Sequence, residues 1–75
     1  MQRPIEKYRW KKQKEWNDCI QFIRETDETC FLGINKEDGL IFMWKENSGY
    51  IRSSLDELQA IYETAKQIKE ESNGN

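Results

Sequence analysis

Apolar residues recur along the chain in two rhythms, and the change from one to the other divides it. Ile5, Tyr8, Trp16, Cys19, Ile20 and Ile23 fall within an arc of about 120° when successive residues turn by about 100°, the signature of one helical face. Pro4 suits the first turn of a helix, so the spacing predicts a first helix over roughly residues 4–25. Thr26-Asp27-Glu28-Thr29 carries no hydrophobe and predicts a short connection. From Cys30 the period becomes two: Cys30, Leu32 and Ile34 point one way, and Phe31, Gly33 and Asn35 the other, as in a strand. Asp38-Gly39 is a hairpin signal that wants positive φ, and Leu40–Lys45 is the return strand. A two-residue loop sets Glu37 opposite Leu40, Ile34 opposite Met43 and Gly33 opposite Trp44, so that the indole lies over a residue without a side chain. Asn47-Ser48-Gly49 predicts a second turn and Tyr50-Ile51-Arg52 a short third strand, leaving 40–45 in the middle of a three-stranded antiparallel meander.

The C-terminal helix has the clearest boundaries. Ser54 followed three residues later by Glu57 is a capping box, Asp56 and Glu57 lie in the first turn where the helix dipole favours acids, and Leu55, Leu58, Ile61, Tyr62, Ala65 and Ile68 form one stripe. It is expected to end near Glu71, with 72–75 a disordered tail. The fold class is α+β, in the order α-β-β-β-α: one domain over 1–71, a three-stranded antiparallel meander flanked by two helices.

The strand over 40–45 is apolar on both faces, with Leu40, Phe42 and Trp44 on one and Ile41 and Met43 on the other. Such a strand reads as one covered on both sides. In short α/β meanders both helices usually pack on one face. That leaves Phe31, Phe42 and Trp44, with Tyr50 alongside, as an aromatic patch for a protein partner or a second copy; the competing arrangement places one helix on each side.

Composition narrows the chemistry. The chain has 75 residues, 36% hydrophobic and 35% charged, enough for one small core. It holds no histidine, which removes the commonest neutral-pH base and the usual nucleophile pairs, so no catalytic residues are assigned and the expectation is not an enzyme. Two cysteines are too few for a Cys-only structural zinc site, and the four glycines form no phosphate-binding loop; no metal or cofactor is expected. Cys19 and Cys30 are expected reduced, the alternative being a single bridge between them in an oxidising compartment. The longest apolar run, Leu40 to Trp44, is five residues, far short of the roughly 20 of a membrane span or the 7–15 of a signal peptide. A soluble, cytoplasmic protein with no membrane partner is expected.

Charge is divided unevenly. Residues 1–14 hold six basic side chains against one acid, a net of +5, so the remainder carries −7 of the total −2. On the predicted first helix Arg3, Lys7, Trp10 and Lys14 share the face opposite the apolar stripe, with Lys11 close by. Trp10 is then exposed among cations, an arrangement suited to nucleic acid, to an acidic protein, or to a nucleotide ligand held by one chain or between subunits of an oligomer. The paired acids Asp27-Glu28, Glu37-Asp38 and Asp56-Glu57 each have local work in a connection, turn or helix start. In general character the chain is similar to small accessory proteins of bacteriophages and mobile elements, a resemblance of style carried by no motif, which implies an inhibitor that binds and blocks a larger host protein. The leading expectation is a non-catalytic protein-interaction module; the alternative is nucleic-acid or nucleotide binding through the basic first helix.

Overall fold

The computed structural model describes residues 3–47 and 49–73. A 3₁₀ turn over Pro4–Tyr8 leads into four strands, β1 (Trp10–Glu15), β2 (Cys19–Arg24), β3 (Asp27–Asn35) and β4 (Ile41–Lys45), and one helix, α1 (Leu55–Asn73), closes the order. The strands form a single antiparallel sheet in the order β1-β2-β3-β4. The expected α-β-β-β-α architecture with two helices and three strands is therefore wrong.

The first helix is where the reading fails. Pro4 does start a helical turn, but Arg9 takes a left-handed conformation, φ 72°, and ends it. The segment that follows is a hairpin: Ile20 and Phe22 point to one side of the sheet and Cys19, Gln21 and Ile23 to the other. Ile20 and Ile23, which share a face on a helix, lie on opposite faces here. β1 hides only its first residue, Trp10, because it is an edge strand beyond the cover of the helix.

Trp10 is consequently not the exposed ring of a basic helix face. It is 1% exposed, in a core made with Ile5, Ile20, Phe22, Cys30, Leu32 and Ile34, and with Ala60, Ile61, Ala65 and Ile68 of α1. Its indole Nε1 donates to Glu57 Oε2 at 2.7 Å; Arg24 Nη2 donates to the same oxygen at 2.8 Å, and Ser53 Oγ to the other at 3.0 Å. The Arg24 guanidinium lies 4.6 Å from the Trp10 ring centre. Glu57 is thus a buried carboxylate whose charge and lone pairs are used by residues of β1, β2 and the segment before α1. The cap at Ser54 is present in half: its Oγ accepts from the Glu57 amide at 3.0 Å, while the Glu57 side chain goes to the core instead of back to the cap. Thr64 fastens the N-terminal turn, its Oγ1 accepting from the Ile5 amide at 3.2 Å.

The β3–β4 hairpin is present but with a longer loop. Asn35 Oδ1 accepts from the amides of Glu37 and Asp38, the Asn35 amide donates to Leu40 O, and Gly39 alone of the turn pair has positive φ. A type I′ turn needs positive φ at both central residues; with Asp38 on the ordinary side, four residues close the loop. Gly33 therefore faces Phe42, and Phe31 faces Trp44. The shift of two residues keeps every side chain on its expected face.

The strand expected over Tyr50-Ile51-Arg52 is not formed. Positive φ at Asn47 and Gly49 turns the chain away from the sheet, and Ile51 packs against the core near the start of α1. β4, expected in the middle, is an edge. Of the turn residues, Ser48 lies outside the described residues, as do Gly74 and Asn75 of the expected tail; α1 itself continues to Asn73. Cys19 and Cys30 are both free. Among the described residues no helix is long and apolar enough to cross a membrane.

Surface ion pairs set an acid limit. Glu15, between Lys36 and Lys12 at 2.7 and 3.0 Å, is held down to a pKa of about 2 by Lys36 and then Lys12. Asp27 is lowered by the Thr29 hydroxyl and then Lys45, and Glu71 by Arg3. Carboxylates depressed in the folded state stabilise it above their unfolded pKa, and that contribution disappears as pH falls through the folded value. The melting temperature is expected to be level from neutral pH to about 5, then to fall between about pH 4.5 and 2. Glu15→Gln should flatten part of this decline, and thermal melts that do not change across the interval would refute the assignment.

Candidate interaction face

Because α1 covers one side of the sheet, the alternate residues of every strand are left facing outward. In register across this open face stand Lys11, Ile23, Phe31 and Trp44, and beside them Lys14, Gln21, Gly33 and Phe42. Phe31 and Trp44 stack, with ring centres 5.3 Å apart and planes 13° from parallel. Both rings lie against Gly33, where a Cβ would meet the Phe42 and Trp44 rings at 3.5 Å, an ordinary van der Waals contact. Even so, Phe42 stays 48% and Trp44 40% exposed. Of the four residues read from the sequence as partner-binding, Phe31, Phe42 and Trp44 are brought together. Tyr50 is not on the sheet; it stands 91% exposed in the connection to α1, along a shallow groove with Met43, Trp44 and Leu58.

The basic set is dispersed. Arg3 is tied to Glu71 by two hydrogen bonds of 2.6 and 2.8 Å, Lys7 sits over the Tyr8 ring in the N-terminal turn, and Trp10 is in the core. Lys11 and Lys14 remain exposed on the open face, Lys14 with its ammonium 5.9 Å from the ring of the exposed Trp16. The premise of a continuous basic helix face is gone.

The sequence reading missed a second apolar surface. On α1 the buried arc runs through Glu57, Ala60, Ile61, Thr64, Ala65 and Ile68, so Leu55, Leu58 and Tyr62 of the expected stripe are exposed on its flank. At 100° per residue these three lie within roughly 60° of one another, beside the buried arc. A groove separates this flank from β4, lined by Ile41, Tyr62, Ala65 and Lys69 at one end and by Met43, Tyr50 and Leu58 at the other. The signal was in the stripe, which is wider than one sheet face can cover.

Among the described residues no cluster of three or more potential metal ligands occurs. Comparison with known protein families, with curated proteins and with solved structures finds no match for this chain.

Proposed function

We propose that the protein is a non-catalytic interaction module that docks through Phe31, Phe42 and Trp44 onto a protein surface and acts by occupying it. The observation that carries this reading is the exposure of Phe42 and Trp44 side by side on the sheet face that α1 does not cover. Burying the exposed half of each ring, about 100 Å², is worth about 2.5 kcal/mol apiece. Two such anchors on a rigid sheet have the character of interface hot spots. An inhibitor that covers a site on a larger protein is the form this activity would take.

A second reading is favoured by Lys11, Lys14 and Trp16: single-stranded nucleic acid laid across the same face, bases on the rings and phosphates on the lysines. One experiment separates the two. Capture from nuclease-treated lysate of the source cell is compared for the wild type, Phe42→Ser/Trp44→Ser and Lys11→Glu/Lys14→Glu. The protein reading expects a partner retained by the lysine variant and lost with the aromatic pair. It is abandoned if the aromatic variant captures the same partner. Oligothymidylate binding that weakens steeply with salt and disappears in the lysine variant would establish the second reading instead.

A further inference from the structure

The two edges of the sheet are built differently. β1 presents Lys11, Lys12 and Lys14 and is broken by an irregularity between Lys12 and Lys14, the devices by which edge strands avoid pairing. β4 pairs regularly with β3 over all five residues and has neither proline nor bulge, and no charge occurs from Leu40 to Trp44. The Asn35 amide bonded to Leu40 O and the Glu46 amide bonded to Thr29 O fix its phase: even-numbered residues turn their backbone groups to β3, and Ile41, Met43 and Lys45 turn theirs outward.

We propose that this outer edge of β4 pairs antiparallel with the same edge of a second copy, about a twofold axis at Met43, to form one eight-stranded sheet. The proposal rests on the reading of the chain as an interaction module and names a partner for the margin of the same surface. Centring on Met43 engages all five residues of β4. It sets Ile41 opposite the partner's Lys45, and Phe42 opposite the partner's Trp44 in a non-hydrogen-bonded pair, where side chains approach most closely. The Phe31–Trp44 stack then runs on into the partner's Phe42. A register two residues to either side strands one end of the strand or sets Lys45 nearer to its own counterpart.

Size and closure both favour a second copy. Leu40, Ile41, Phe42, Trp44, Leu58 and Tyr62 each keep between 37% and 55% of their surface exposed. On side chains of about 200 Å² that is on the order of 550 Å² per protomer, an upper bound of about 1,100 Å² for two, close to where specific interfaces begin. The twofold axis stands perpendicular to the sheet, so both helices lie on one side and the grooves beside α1 merge over the paired strands. With β1 guarded, the edge left to pair among the described residues is β4 of another copy, so association closes at two.

Sedimentation across a wide concentration series should show the 9.1 kDa chain passing to twice its mass. Met43→Pro removes an outward N–H and no bond to β3, and Ile41→Lys puts a charge on the edge; each should weaken dimerisation at least ~10-fold with the circular dichroism of the wild type. Amide exchange gives an independent readout: Ile41, Met43 and Lys45 should gain protection with concentration, while Phe42 and Trp44 are protected throughout. A wild type monomeric at every concentration overturns the pairing and leaves docking on a foreign protein standing. A dimer untouched by both edge variants and dissolved by Trp44→Ser also overturns it, in favour of face-to-face packing.

Discussion

Glu57→Leu should cost about 3–5 kcal/mol, the range for leaving a buried ion-pair partner uncompensated. A chain of 75 residues has roughly 4–11 kcal/mol in all, so the variant is expected to lose a large share of its stability. The charge of Arg24 and the indole N–H of Trp10 lose their acceptor together, and both lie where water cannot readily replace it. Arg24→Met in the same chain should recover part of the loss, because the cation that has no partner is then gone as well. Urea denaturation of the two single variants and the double variant tests this. Strictly additive losses would show that Glu57 and Arg24 do not act as a pair.

Trp10→Ala and Trp44→Ala are expected to diverge although the residue type is the same. Trp10 is 1% exposed in the core, and its truncation should cost about 3–5 kcal/mol. Trp44 lies on the edge strand with 40% of its surface in water, so its loss should shift stability by about 1 kcal/mol. The ranking inverts in association, where Trp44→Ala is expected to weaken partner binding by at least ~30-fold, as at an interface hot spot. Denaturation midpoints and binding isotherms on both variants make the comparison. Equal stability losses would mean that the open face is as deeply packed as the covered one.

What could be read ahead of the structure followed from how strongly each segment repeats its pattern. α1 has a cap and a six-residue stripe, and alternation from Cys30 to Ile34 left one choice for β3. The faces of β4 came out correctly even though the turn was two residues too short, since an even register shift leaves parity unchanged. The N-terminal hairpin was illegible for a physical reason: β1 buries a single residue, so it has no alternation to detect. Ile20 and Ile23 then satisfied a helical period by accident. Nothing in the sequence marks Arg9 as left-handed, and this one conformation separates a helical turn from a strand. The candidate face was legible because Phe31, Phe42 and Trp44 needed only parity. The basic site was not, because it depended on an element that does not form.

The sheet also separates the two sulfur atoms. Cys30 points into the core beneath α1, whereas Cys19 lies on the other side and pairs in register with Asn35, five residues farther along β3. Five strand residues span roughly 17 Å, well beyond the ~7 Å that a bridge tolerates between Cα atoms. Burial raises the pKa of the Cys19 thiol, with Asp18 adding to it, which makes it a sluggish nucleophile at neutral pH. The fold therefore keeps the same framework in oxidising and in reducing surroundings, and any covalent link through sulfur has to join one molecule to another.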